Sequence, residues 1–131
     1  MDRPHSLHLQ LASEPSASAT VRRTLDGLGL PPDLHEPARL MASELVSNSV
    51  RHVGAGPSAP IAVSVDVGDD RLRVTVNDVG HREVRLRSRE TRDAGSGYGL
   101  FLVDTMADRW GTAERRDGTS VWFELDIRRA C

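Results

Sequence analysis

A predicted helix in the first half of the chain carries the sequence ELVSNSVRH, residues 44–52. Apolar residues recur around it at helical spacing: Ala38, Met41, Ala42, Leu45, Val46, Val50 and Val53. This spacing predicts a helix from about Asp33 to Val53. Glu44, Asn48 and His52 are four residues apart, so they share one polar stripe beside the apolar one. A glutamate can accept a proton and an amide oxygen can bind Mg²⁺, although surface helices commonly carry such stripes.

The rest of the chain divides into strands and two shorter helices. Alternating apolar residues predict strands at Ser6–Ala12, Ile61–Val67, Leu72–Val76, Trp110–Arg115 and Thr119–Ile127. Helices are predicted from a cap at Ser13 or Ser16 to Leu28, and from Tyr98 to Asp108. Residues 79–97 show no sustained period, which predicts a long functional loop. The order β-α-α-β-β-loop-α-β-β indicates helices layered on one face of a mainly antiparallel sheet.

A second motif, Asp78-Val79-Gly80, directly follows one of these strands. Its position predicts a carboxylate at the mouth of a pocket, with the backbone close by. Such a carboxylate can accept a hydrogen bond from an exocyclic amine such as that of adenine. Taken alone, the motif is also compatible with an ordinary turn at a strand end.

A third motif, Gly95-Ser96-Gly97-Tyr98-Gly99-Leu100, precedes the last predicted helix. Three glycines in five residues allow backbone N–H groups to point inward without obstruction by a β-carbon. At a helix N-terminus these groups form an anion site suited to phosphates. A flexible hinge is the alternative for this segment by itself.

Composition narrows the class of protein. The 131 residues fit one domain, 1–131, and the net charge of −2 favours neither a nucleic-acid nor a membrane partner. All 17 basic residues are arginine, which excludes a Walker A loop and the strand lysine of protein kinases. The single cysteine, Cys131, offers no disulfide framework. A cytoplasmic location is expected.

The ordered combination of motifs resembles the GHKL superfamily, which includes gyrase-type ATPases, histidine-kinase catalytic domains and mismatch-repair ATPases. Residues 44–52 resemble its N box, residues 78–80 its first glycine box, and residues 95–103 its second. The segment Gly118-Thr-Ser-Val-Trp-Phe123 resembles the family's ending. Residues 1–32 are predicted to form a strand and one short helix, so the layout is most similar to stand-alone anti-sigma-factor serine kinases.

This resemblance implies an α+β two-layer sandwich of the Bergerat type, with a mixed, mainly antiparallel sheet covered by helices on one face. It implies ATP and Mg²⁺ as cofactors, an anti-anti-sigma factor as phosphoacceptor, and a sigma factor as a second partner. Asn48 would ligate the metal, and Glu44 would act as base or orient the acceptor hydroxyl. The implied nucleotide contacts are Asp78 to the adenine amine, Gly80 beside the ring, Gly95, Gly97, Tyr98, Gly99 and Leu100 over the phosphates, and Thr119 on the adenine side.

Two other functions fit the same residues. A non-catalytic ATP-binding adaptor would hold a partner without phosphotransfer, and a slow gyrase-type ATPase would use water as acceptor. The second alternative ranks last because no transducer domain is evident in the sequence. His81 departs from the small residue or proline common after the first glycine box, and residues 81–93 carry five arginines against three acids. Those arginines either meet phosphates or form a solvated run, and homodimer formation is left open.

Overall fold

The structure is a computed structural model that describes residues 5–53, 56–79 and 98–127. Within these ranges the chain forms five strands and three helices. The elements are β1 (His5–Ser13), α1 (Ala17–Asp26), α2 (Pro32–Val53), β2 (Gly56–Val67), β3 (Arg71–Asp78), α3 (Tyr98–Met106), β4 (Arg109–Arg115) and β5 (Gly118–Asp126). Among the described helices, none is long and apolar enough to cross a bilayer.

The strands form one sheet in the order β1-β2-β3-β5-β4. All four pairings between the described strands are antiparallel, so the predicted α+β fold with a mainly antiparallel sheet is confirmed. The parallel pairing that a mixed sheet would contain is not present among these strands. The β2–β3 hairpin closes at the predicted turn, where the Gly68 N–H donates to the Arg71 carbonyl at 2.9 Å.

The three helices cover one face of the sheet and share a single core with it. Alternate residues of the three central strands point into this core because strand side chains alternate between faces. The buried strand residues are Ile61, Val63, Val65, Leu72, Val74, Val76, Val121, Phe123 and Leu125. The helices meet them with Val21, Leu25, Met41, Leu45, Val46, Leu100 and Val103. The three from α2 are among the apolar positions predicted from helical spacing.

The opposite, open face of the sheet is polar, and none of the described helices packs against it. Glu124 lies there almost fully buried, and it accepts hydrogen bonds from Arg109 at 2.7 Å and Arg73 at 3.0 Å. The Arg73 guanidinium also lies 4.0 Å from the centre of the Trp122 ring, which is within cation–π range. Trp110 packs against the core and donates to Asp104 at 2.9 Å. Both tryptophans thus serve packing.

Several element ends differ from the predicted ones in position or in their contacts. Ser16 is the N-cap of α1, but its hydroxyl bonds Glu14 instead of capping, because its backbone is already helical. Strand β2 begins at Gly56 rather than Ile61, since its first residues pair only with β1. Helix α3 ends at Met106 because the N–H of Asp108 donates instead to the Glu124 carbonyl of β5.

Candidate functional site

Asp78 is the last residue of β3 and continues its buried apolar row. Exposed or half-buried residues alternate with buried ones along the strand, and the buried positions are Leu72, Val74, Val76 and Asp78. The carboxylate therefore faces the helix-covered side of the sheet, where its residue is 5% exposed. A carboxylate in that setting needs hydrogen-bond donors close by, because burying an unpaired charge is costly.

Ser49 of α2 supplies one such donor. Its hydroxyl donates to Oδ2 of Asp78 at 2.7 Å, and Ser49 itself is 2% exposed. The bond joins residues from two elements that are 29 positions apart in sequence. It brings the helix of the first motif and the strand end of the second motif together. Ser49 was not among the predicted site residues, although it directly follows Asn48 in the sequence.

Asn48 lies on the same helix and is 7% exposed. Its side-chain oxygen accepts a hydrogen bond from the guanidinium of Arg51, three residues on in the last turn. The amide oxygen that the sequence assigns to a metal thus already faces a positive charge. Arg51 is exposed, so its side chain can move away without disturbing the core. Sequence reasoning missed Arg51, whose signal was a cationic residue at i+3 from Asn48.

Glu44 lies one helical turn before Asn48 and is half-buried. It lines an open groove of about 580 Å³ between α1, α2 and the end of α3. Leu40 lies one further turn back in the same groove and is 40% exposed. A carboxylate at this position can meet a group that approaches along the helix surface. His52, the third residue of the predicted stripe, is exposed at the far end of α2.

Thr119 and Gly118 bring β5 against the end of β3. Thr119 is opposite Asp78 in the ladder, is 3% exposed, and belongs to the same face of the sheet. Gly118 has φ of +152°. A β-carbon at Gly118 would lie 1.7 Å from the carbonyl oxygen of Asp78 and 2.9 Å from the Cα of Val79. Only glycine allows this close approach between the start of β5 and the end of β3.

The third motif is described only in its last residues. Tyr98 and Gly99 open α3, and Leu100 is buried under it. The first turn of α3 carries no acidic residue, which suits an anion at the helix N-terminus. Gly80, Gly95 and Gly97 lie outside the described residues, as does the arginine-rich segment 81–93, so their predicted roles stay predictions.

A smaller recess of about 240 Å³ lies at the same end of the sheet. It is lined in part by Gln10, Ala62 and Asn77, which belong to the open face because their neighbours in each strand point into the core. The Asn77 side-chain oxygen is buried there without a hydrogen-bond partner among the described residues. Asp78 and Thr119 also line this recess, at the end of β3 and the start of β5.

The site thus gathers three of the four predicted motifs around one end of α2. Asn48 and Ser49 of that helix, Asp78 of β3 and Thr119 of β5 are buried polar residues on the helix-covered side. A family model described as the histidine kinase-like ATPase domain matches residues 8–125 of this chain. The chain belongs to that family. It is an ATP-binding family, and the predicted superfamily is confirmed.

Solved structures agree on the fold of this ATPase domain. One match is the crystal structure of the RsbU and RsbW domains of Rv1364c from Mycobacterium tuberculosis, with a TM-score of 0.67 and 22% sequence identity. The match covers 96% of this chain and 34% of that one, so the ATPase domain spans about a third of the length of that chain. No curated protein matches the sequence.

The described part of this ATPase domain offers few side chains that could coordinate a metal ion. Among the described residues, no three His, Cys, Asp or Glu side chains cluster as a metal site. Mg²⁺ commonly takes one or two protein oxygens and completes its shell with water and nucleotide phosphates. The amide oxygen of Asn48 is the kind of ligand that Mg²⁺ takes, and it would be available to such an ion once the exposed Arg51 side chain moves away from it.

Proposed function

We propose that residues 1–131 form a single Mg-ATP-binding domain that phosphorylates a serine or threonine of a protein partner. The observation that carries this proposal is the placement of Glu44. It lies one helical turn from Asn48, about 6 Å along the axis, and it also faces the open groove. A metal-bound nucleotide at Asn48 and a protein hydroxyl in the groove would therefore meet beside one carboxylate.

This placement supports one reaction. The hydroxyl oxygen of the acceptor bonds to the γ-phosphorus, the bond from that phosphorus to the bridging oxygen breaks, and ADP leaves. Glu44 accepts the hydroxyl proton or orients the hydroxyl for attack. Bound Mg²⁺, held by Asn48, would neutralise charge on the phosphates. Phosphoryl transfer depends mostly on positioning and on charge neutralisation, so a site this small suffices.

Asp78 and Thr119 would hold the adenine end. Both are buried on the helix-covered side and are paired across β3 and β5. Asp78 would accept from the exocyclic amine, and the glycine loop before α3 would close over the phosphates at that helix's N-terminus. The Arg51 guanidinium contacts Asn48, and in a chain without lysine it is suited to meet phosphate charge.

The proposed class of protein partner is based on the sequence motifs and not on the solved structure. The sequence resembles stand-alone anti-sigma-factor kinases, which implies an anti-anti-sigma factor as acceptor and a sigma factor as a second ligand. The likeness to a chain with an RsbW domain supports the same assignment only through the fold, because identity is 22%. A cytoplasmic location belongs to this proposal as well.

The test is phosphotransfer from γ-labelled ATP to anti-anti-sigma proteins of the same genome. We expect one of them to be labelled on serine or threonine in the presence of Mg²⁺. Glu44→Gln should keep nucleotide affinity and lose labelling, whereas a wild-type protein that labels no such partner would refute the kinase activity. Calorimetry with ATP, run beside Asp78→Asn, tests nucleotide binding separately.

One observation favours a second function, that of an ATP-binding adaptor without turnover. The Asn48 oxygen is bonded to Arg51, and an arginine that stays there would exclude the metal. Such a protein would bind ATP equally well with and without Mg²⁺ and would hold its partner without labelling it. Phosphotransfer that Glu44→Gln abolishes would rule this alternative out.

A further inference from the structure

We propose that Ser49 is a positioning residue that makes the nucleotide pocket selective for a 6-aminopurine. It would do so by holding the Asp78 carboxylate in the orientation that accepts a hydrogen bond from the exocyclic amine. The inference rests on the proposed nucleotide pocket and goes beyond it, because it assigns base selectivity to a residue outside the predicted ligand set.

The geometry of the pair supports this role. Ser49 is 2% exposed, Asp78 is 5% exposed, and 2.7 Å separates the hydroxyl oxygen from Oδ2. That distance is typical of a strong hydrogen bond between a hydroxyl and a carboxylate oxygen. Because both residues are buried, water competes little for either partner, so the bond restrains the carboxylate more firmly than a surface contact would.

The restraint matters because the backbone alone does not set the plane of a carboxylate. The terminal torsion of aspartate is broad and roughly two-fold, so its plane is not set by the backbone. A hydroxyl that donates to Oδ2 from a fixed position on α2 selects one setting of that plane. The ladder partner Thr119 and the close approach of Gly118 fix the backbone of Asp78 from the other side.

A fixed acceptor discriminates between bases. The 6-amino group of adenine donates a hydrogen bond, whereas guanine presents a carbonyl oxygen at the same ring position. With guanine bound, the Asp78 carboxylate and the guanine carbonyl oxygen would face each other in a buried site, and both are hydrogen-bond acceptors. Such a mismatch makes a polar site selective. An Asp78 carboxylate that has lost the Ser49 donor is held less firmly and could avoid part of this mismatch, so losing Ser49 should relax the selectivity.

A merely structural role makes a different prediction. Ser49 also ties α2 to β3, and a tether of that kind would affect every nucleotide equally. Purine riboside 5′-triphosphate separates the two roles, because it matches ATP except that hydrogen replaces the 6-amino group. Ser43 provides the control, since it is a buried serine of α2 whose hydroxyl donates to the Leu40 carbonyl at 3.0 Å and not to Asp78.

The experiment measures both triphosphates by calorimetry with Mg²⁺ on the wild type, Ser49→Ala, Ser49→Thr and Ser43→Ala. We expect Ser49→Ala to lose about tenfold in ATP affinity, the scale of one hydrogen bond to a charged group. Its affinity for purine riboside triphosphate should stay at the wild-type value. Ser49→Thr keeps the hydroxyl and should keep the ATP preference, as should Ser43→Ala.

Each other outcome has a defined meaning. If Ser49→Ala weakens both triphosphates equally, or keeps the preference for ATP, the proposal is overturned while ATP binding stands. If the wild type binds both triphosphates equally well, Asp78 does not read the amine and the proposal is overturned with that assignment. If the wild type binds neither, the proposed function fails. Should Ser49→Ala not fold, loss of the preference in a folded Ser49→Thr would overturn the proposal too.

Discussion

The carbonyl oxygen of Asp78 lies where a β-carbon on Gly118 would be, with only 1.7 Å between them. The backbones at the end of β3 and the start of β5 therefore approach each other closely. Because Asp78 and Thr119 are opposite each other in the ladder, this contact sets the spacing of the two buried polar residues. Gly118, the glycine of the last motif, therefore helps to form the site.

Replacing Gly118 by alanine should destabilise the protein and displace Asp78. The new β-carbon would clash with backbone that cannot move aside, and φ of +152° is unfavourable for alanine. We expect a loss of about 2–4 kcal/mol in the free energy of unfolding, measured by chemical denaturation. Any folded fraction should bind ATP more weakly than the wild type.

Gly68→Ala is the matched control for this substitution. A β-carbon at Gly68 would meet only the Arg71 carbonyl oxygen, at an ordinary distance of 3.6 Å. Its effect on the free energy of unfolding should stay within about 0.5 kcal/mol. Equal losses in the two variants would show that the approach of Gly118 to Asp78 has no special cost.

Asn48→Ala should weaken ATP binding only when Mg²⁺ is present. The Asn48 oxygen is the proposed protein ligand of the metal, so its loss should cost about tenfold or more in affinity, as disturbing a metal site commonly does. In EDTA the variant and the wild type should bind ATP alike. Calorimetry under both conditions measures this, and an equal loss in EDTA would assign Asn48 to holding Arg51 rather than to the metal.

Substitutions in the groove should impair phosphotransfer without affecting nucleotide binding. Leu40 and Arg22 line the groove beside Glu44, where the acceptor protein would approach. Leu40→Asp and Arg22→Glu should each lower kcat/KM for the acceptor by about tenfold, the effect of a significant interface residue. ATP affinity should not change, because neither side chain belongs to the proposed nucleotide contacts.

Arg23→Glu makes the same change of charge one residue further along α1. Arg23 does not line the groove and its guanidinium donates to Thr20 at 3.3 Å. Its phosphotransfer rate should match that of the wild type. If Arg22→Glu and Arg23→Glu slow the reaction alike, the effect comes from overall charge and the groove is not the docking surface.

The sequence predicts the elements well because their signals are local. Alternation identifies β3, and Asp78 stands out as a charged residue at the next buried position of that strand. The start of β2 was missed because Pro57 and Pro60 weaken the strand signal. Both prolines precede Ile61, where pairing with β3 begins. No backbone N–H is therefore needed from them on the side that faces β3.

The contacts inside the site could not be predicted, since they depend on how distant elements meet. The bond from Ser49 to Asp78 depends on how far above β3 the helix α2 lies. The close approach of Gly118 requires the register of β5 on β3. The turn of the Asn48 amide towards Arg51 depends on the side-chain conformation of both residues. Spacing in the sequence predicted which residues share a face, but not these partners.

The arginine cluster around Glu124 predicts a dependence of stability on pH. The Arg109 guanidinium holds the pKa of the Glu124 carboxyl below its usual value of 4.5, Arg73 and Arg71 add to the effect, and burial opposes it. A carboxyl whose pKa is lower in the folded state stabilises the fold above its unfolded pKa. That contribution is lost as the pH falls through the folded pKa.

Glu124→Gln should therefore lower the free energy of unfolding by about 1–2 kcal/mol at pH 7, and the difference from the wild type should shrink as the pH falls below about 4.5. Denaturant titrations between pH 3 and pH 7 measure this difference. Asp66→Asn is the control on the same open face, because Asp66 bonds the neutral hydroxyl of Ser6, and it should cost less at pH 7. A difference for Glu124→Gln that is constant over this range would mean that packing, and not charge, explains the role of Glu124.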